Sequence, residues 1–290
     1  MGTINSLLDL FAVIINMFRH NWFSLALGAS LSTLVLFPSA AKAQMSVSPL
    51  VIEAKAERGQ AQGIITVTNT SNTPSRVRVY AQPFTYSRDT GFQTLPDSPS
   101  DLTNYLQFSP RELTIKPGES RRVRLISRLA PNLPDGEYRA VVFNETLTEA
   151  KDDAGNNVAL VARIGVTFYV RKGNLSPDLA VDNASLNPEQ KQIQLLIRNS
   201  GQATVRPSVI WTLRRGETVV KTGQVEASAV VANSDRHFLL NYPSKDQPAL
   251  TNGEYQLSGE LTWGEDNKKT KLPFNVNVAI PAQSPTSNKK

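Results

Sequence analysis

The chain has two histidines, His20 and His237. A serine-type hydrolytic site needs one beside its nucleophile and a carboxylate. His20 precedes the apolar run Trp22 to Phe37, which leaves His237, between Arg236 and Phe238, as the one candidate base. Its surroundings read as a strand, where a hydrogen-bonded structural imidazole is the plainer expectation. Cysteine is absent, which removes thiol chemistry, disulfides and cysteine zinc sites. No nucleophile elbow, phosphate loop or dinucleotide fingerprint occurs. Asp152, Asp153, Asn156 and Asn157 could offer oxygens to calcium but do not follow EF-hand spacing, and a solvated hairpin loop accounts for them. Asn69, Asn144 and Asn183 open N-x-Ser/Thr triplets, which matter only in a glycosylating host. Trp211 and Trp263 fall in expected strands and form no stacking row. The expectation is a protein without enzymatic activity, cofactor or metal, which works by binding.

A surface for binding is visible in one stretch. Val158, Leu160, Ala162, Ile164, Val166, Phe168 and Val170 stand at every second position. That period places them on one face of a single β-strand, roughly 40 Å long at ~3.3 Å per residue. Typical strands are about half that length. A strand longer than its own sheet leaves apolar residues for a partner to cover.

The elements before Gln44 serve another purpose. Trp22 to Phe37 is an apolar run that follows Arg19 and His20 and ends in Pro38-Ser39-Ala40-Ala41-Lys42-Ala43. Ala41 and Ala43 fit a small-residue cleavage site, so residues 1–43 read as a secretory signal peptide cleaved after Ala43. The alternative is an uncleaved anchor helix, for which the run is short. Ile4 to Phe18 is apolar and carries Asp9 rather than a basic residue, whereas a start at Met17 would give a conventional Met-Phe-Arg-His-Asn opening. The expected address is the periplasm, with membrane contact only through the signal segment. Net charge is +6, with the basic residues spread through strands rather than gathered in a patch. That pattern argues against a nucleic-acid partner.

After Gln44 the chain reads as short strands and turns. Gly63 to Asn69 is β-rich, Arg76 to Tyr80 alternates, and Lys116-Pro117-Gly118-Glu119 turns into Arg122 to Ile126. Pro134-Asp135-Gly136 turns into Tyr138 to Leu147, and a polar loop spans Thr148 to Asn157. The order then repeats. Ile65 to Val77 echoes Leu195 to Val205, and Gly136-Glu137-Tyr138 returns as Gly253-Glu254-Tyr255. These landmarks predict an all-β chain of two immunoglobulin-like antiparallel β-sandwich domains, 44–172 and 175–280, with a disordered tail at 281–290. Tyr138 and Tyr255 each read as a tyrosine corner, the ring in the core and the hydroxyl on backbone.

The first of these domains resembles the amino-terminal domain of the periplasmic pilus-assembly chaperones, the PapD-like family. The resemblance spans about 45–172. It rests on Met45-Ser46-Val47-Ser48-Pro49, Ile65 to Asn72, Phe108-Ser109-Pro110, Ile115 to Glu119 leading into Arg122 to Leu125, Pro134 to Tyr138 leading into Val141 to Asn144, and the final Phe168-Tyr169-Val170-Arg171. It implies a chaperone that lends an edge strand to an incomplete pilin-like or other exported subunit, main-chain bonds giving affinity and alternate side chains giving register. The donor residues implied are Val158, Leu160, Ala162 and Ile164, while Val166, Phe168 and Val170 stay in the chaperone's own core. Burying the four donors contributes on the order of 4–8 kcal/mol gross, at ~1–2 kcal/mol each, before binding costs.

One departure stands out. The family holds the subunit's terminal carboxylate with an Arg on the first strand and a Lys on the donor strand. Here Gln44 to Ala54 contains neither, and the donor-strand position falls near Val166. Lys55, Arg58 and Arg163 are the basic residues available as substitutes. A charge-assisted anchor is worth ~1.5–3 kcal/mol. The rival expectation is a cell-envelope structural or adhesion protein of Ig-like repeats, in which the long strand is fully paired inside its own sandwich.

Overall fold

The computed structural model describes residues 45–151, 157–187, 189–244, 247, 249–265 and 268–281, with backbone alone at 147–151 and 157–160. Residues 1–44, which include the expected signal segment, residues 152–156 with Asp152, Asp153 and Asn156, and those from 282 lie outside the described residues.

The first half forms strands β1 Met45–Ser48, β2 Val51–Lys55, β3 Gln60–Asn69, β4 Ser75–Gln82, β5 Phe84–Ser87, β6 Gly91–Thr94, β7 Leu106–Ser109, β8 Glu112–Ile115, β9 Ser120–Arg128, β10 Gly136–Lys151 and β11 Asn157–Lys172. A four-stranded sheet of order β1-β3-β9-β7 packs on a five-stranded sheet of order β2-β11-β10-β4-β8. Between them lies a core that includes Ile65, Val67, Val77, Ile115, Val123, Leu125, Val142, Val166, Phe168 and Val170, each at most 3 % exposed. The chain crosses from one sheet to the other between β1 and β2, and β2 pairs with β11 in parallel, whereas the other described strand pairs are antiparallel. The hairpin β5–β6 stands apart as a two-stranded ribbon.

The second half forms β12 Leu179–Leu186, β13 Ile193–Asn199, β14 Ser208–Arg215, β15 Thr218–Val225, β16 Ser234–Leu239, β17 Gly253–Trp263 and β18 Thr270–Ile280. Its sheets have orders β12-β13-β16 and β15-β14-β17-β18. Their shared core holds Ile193, Leu195, Ile197, Leu213, Leu257 and Trp211, with Trp263 packed against it.

Two turn devices occur once in each sandwich. Asn69, at the end of β3, is buried; its side chain donates to the Thr73 and Ile115 carbonyls at 2.7 and 2.9 Å and accepts from the Ser71 amide. Asn199, at the end of β13, does the same with the Ala203 and Val230 carbonyls at 2.9 and 3.1 Å and the Gly201 amide. Each buried side chain ties the turn that follows its strand to a neighbouring strand or loop. The Tyr138 hydroxyl donates to the Pro134 carbonyl at 2.9 Å, and that of Tyr255 to Thr251 at 3.0 Å, the corner geometry expected of each.

Candidate functional site

Part of the stretch expected as a polar loop is strand: Thr148 to Lys151 continue β10 and Asn157 opens β11. The two strands pair without a register shift from Gly136↔Lys172 to Lys151↔Asn157. On its other side β11 pairs only with β2, from Thr167↔Val51 to Arg171↔Lys55. From Asn157 to Val166 no second strand flanks β11 among the described residues. The Thr167 amide donates to the Leu50 carbonyl at 3.0 Å, so it faces this outer side. Alternation along an antiparallel strand then turns the amides and carbonyls of Val161, Arg163 and Gly165 to the same side. They form an unpaired edge.

Side chains divide along this strand. Val166, Phe168 and Val170 are wholly buried. Ile164 is half-buried and packs against the same core, whereas Ala162 is exposed. Ile164 is therefore already partly committed to the protein's own interior. The side chains of Val158 and Leu160 lie outside the described residues. On the opposite face Val161 is 58 % exposed. Gly165 is required there, since a Cβ would come within 2.8 Å of Val141 and 3.0 Å of the Phe143 ring.

The candidate anchors do not converge. Arg163 lies on the face opposite Ala162 and Ile164; its guanidinium sits 4.6 Å from the Phe143 ring centre and donates to the Tyr80 hydroxyl at 3.2 Å. Lys55 stands opposite Arg171, eight residues further along β11, or about 26 Å at the usual rise. Arg58 follows in the exposed turn beyond Lys55. The position near Val166 carries no charge and is sealed.

His237 has a structural setting. The tip of the β5–β6 hairpin reaches β16: Arg88 donates to both carboxylate oxygens of Asp235, through Nε at 2.7 Å and through Nη2. The His237 amide donates to the Arg88 carbonyl at 3.1 Å, and its Nδ1 lies 2.7 Å from Asp89. Arg236 covers the Tyr86 ring at 4.8 Å. Under this clasp Phe84, Val141, Phe143 and Tyr169 form a third, smaller core with Val231. Burial pushes the Tyr169 phenol well above its ordinary range. Among the described residues no group of three His, Cys, Asp or Glu stands close enough to hold a metal ion.

Sequence reasoning missed the polar junction beside this core. Glu137, whose side chain is fully buried, accepts from Arg171 Nε at 3.0 Å, from the Thr204 amide at 2.8 Å and from the Thr204 hydroxyl. Arg171 also donates to the Thr204 carbonyl at 2.6 Å and pairs with Glu53 at 3.2 Å. Arg206, from the second sandwich, pairs with Glu53 too and stacks 4.9 Å from the Tyr169 ring. The signal was the repeated Gly-Glu-Tyr: its tyrosine has the same role twice, but Glu254 is exposed where Glu137 is buried.

No protein-family model matches the chain, and no curated protein does. Solved structures overlap it loosely. A chaperone–tip adhesin complex from CFA/I fimbriae biogenesis is 15 % identical, with 81 % of this chain and 99 % of that one covered and a TM-score of 0.46. The CsuC–CsuE pre-assembly complex of Acinetobacter baumannii is 18 % identical, covers 80 % and 98 %, and has a TM-score of 0.46. The Escherichia coli chaperone DraB is 16 % identical, covers 79 % and 95 %, and has a TM-score of 0.42. The fold stands on its own pairing pattern.

Proposed function

We propose that the protein is a periplasmic, non-catalytic, chaperone-like binder that holds fimbrial or other exported subunits by lending them the open half of β11. The observation that carries this reading is the unpaired edge from Asn157 to Val166, beside an exposed Ala162 and beyond a fully buried Val166. An incoming strand would take up the outward amides and carbonyls of Val161, Arg163 and Gly165, and its neighbours would cover the alternate side chains. A structural or adhesion protein needs no such edge, and native sheets usually blunt or cover one. Because Lys55, Arg58 and Arg163 are scattered, the grip on a partner is assigned to main chain and apolar contact rather than to a basic anchor.

The test is recovery of periplasmic partners by tagged wild type, Val161→Ala, Val161→Pro and Ala162→Asp. Proline at 161 deletes one outward donor and leaves the β10 ladder intact. Wild type and Val161→Ala should recover the same partners, and the other two at least tenfold less at unchanged melting temperature. Equal recovery by a folded Val161→Pro would remove strand lending.

A further inference from the structure

Read along the chain, the arginines of β9 look scattered; strand alternation gathers them. Val123, Leu125 and Ser127 are buried, so the exposed Arg122, Arg124 and Arg128 share the outer face of the sheet β1-β3-β9-β7. At ~3.3 Å per residue the row is about 20 Å long. It runs down the inside of the sheet. Thr66 and Gln60 on β3 stand opposite Arg122 and Arg128, and Ser109 on β7 stands opposite Arg124. None of the four strands contains Asp or Glu. Exposed arginines elsewhere have carboxylate partners: Arg76 has Glu112, Arg88 has Asp235 and Arg198 has Asp182. Arg122 and Arg124 make no side-chain hydrogen bond or ion pair among the described residues, and Arg128 donates to the neutral side-chain carbonyl of Gln107. Carboxylates stand in the turns that lead into the sheet. Glu119, before β9, is taken by Arg121 at 2.9 Å, and Glu57 precedes β3. Like charges along the row repel one another, and a bound polyanion would relieve that repulsion.

We propose that this face binds a linear acidic polysaccharide, with its sulfate or phosphate groups seated on Arg122, Arg124 and Arg128. Guanidinium forks match such oxyanions, and a row of them engages several groups of one polymer at once. Arg121-Arg122-Val123-Arg124 is a short basic run of the kind that marks heparin-type patches. The neutral rows on either side discriminate among polyanions. Thr66, Gln60 and Gln62 on β3, and Gln107 and Ser109 on β7, offer hydroxyls and amides to sugar hydroxyls. Phe108, the one aromatic residue of the four strands, packs against the core, so nucleic-acid bases find no stacking platform on the outer face. Ile64, 49 % exposed, is the one large apolar side chain these strands expose, too little to insert into a bilayer. The face belongs to the sheet that lacks β11, and the inference does not depend on strand lending.

Fluorescence anisotropy with a labelled heparin dodecasaccharide tests it. Binding should be saturable and should weaken roughly tenfold or more between about 50 and about 200 mM salt. Neutral dextran should not compete. Arg122→Gln/Arg124→Gln/Arg128→Gln should weaken heparin at least tenfold at unchanged melting temperature. Lys221→Gln/Lys268→Gln/Lys271→Gln, which removes the same charge from the second sandwich, should stay within threefold of wild type. Arg124→Gln alone should lose about threefold, which keeps the comparison open if the triple variant misfolds. Single-stranded DNA of equal charge and phosphatidylglycerol vesicles should bind at least tenfold more weakly than heparin. Absence of saturable heparin binding, equal loss in the two triple variants, unchanged affinity in a folded Arg124→Gln, or binding of DNA or vesicles as tight as that of heparin would overturn the proposal.

Discussion

The Thr167 amide donates to the Leu50 carbonyl at 3.0 Å, and this bond marks where β11 stops being a free edge. Toward Lys172 the strand is flanked on both sides; toward Asn157 it is flanked, among the described residues, only by β10. The same bond fixes which backbone groups face outward.

That parity makes proline substitution position-specific. Val161→Pro removes an outward amide and should change stability by no more than about 0.5 kcal/mol, as surface changes do. Ile164→Pro removes an amide aimed at Asn144 on β10 and should cost at least ~1–3 kcal/mol. Urea denaturation of the two variants checks the assignment, and equal loss in both would refute it.

Glu137 is surrounded by cations and donors that were buried on its account. Glu137→Gln should destabilise the fold by about 3–5 kcal/mol, the usual result of stripping one partner from a buried ion pair. Glu254→Gln, at the matching but exposed position of the second sandwich, should stay within about 0.5 kcal/mol. Paired melts of the two variants measure the contrast.

Asn69 donates to the Thr73 and Ile115 carbonyls, and Asn199 to those of Ala203 and Val230, with Val231 at 3.4 Å. Replacing either by Ala should cost ~1–3 kcal/mol, since the carbonyls lose their donors. The residues sit in different sandwiches, so the double variant should equal the sum within about 0.5 kcal/mol. Chemical denaturation of the single and double variants reads this directly.

The clasp has an acid limit. The hydrogen bond and charge of Arg88 hold the Asp235 carboxyl below its ordinary value of 3.8, with His237 and Arg198 adding to the pull. A carboxyl more acidic in the folded chain than in the unfolded one contributes stability that is whole above the unfolded pKa and fades as pH falls through the folded one. Wild type should therefore exceed Asp235→Asn by about 0.2–1 kcal/mol near neutrality, with the difference vanishing on acidification below the ordinary aspartate range. A gap that persists in acid would place the effect elsewhere.

The alternating stretch was legible because its apolar residues repeat every two positions: Val166, Phe168 and Val170 reach the core as their spacing predicts. Periodicity cannot say where a strand acquires its second neighbour. That depends on β2, paired in parallel from more than a hundred residues away. The opposite face of β11 depends on distant cover in the same way. Tyr169 stands on the face away from the seven alternating residues and is fully buried, because the β5–β6 hairpin brings Phe84 over it and the second sandwich adds Val231. Nothing local in the sequence announces that cover. Lys55, Arg58 and Arg163 look like neighbours only in a search for positive charge; the register spreads them along β11.

Val231 gives the small aromatic core a further consequence. Phe84, Val141, Phe143 and Tyr169 are all made in the first half of the chain, but the clasp residues that close over them, Asp235 and His237, and Val231 itself come much later. A growing chain that ends before Ala229 carries a finished first sandwich with an oily flank still uncovered, and such surface is what draws incomplete chains into aggregates. The carboxy-terminal sandwich thus covers that flank only after Val231 and the clasp residues beyond it have been made.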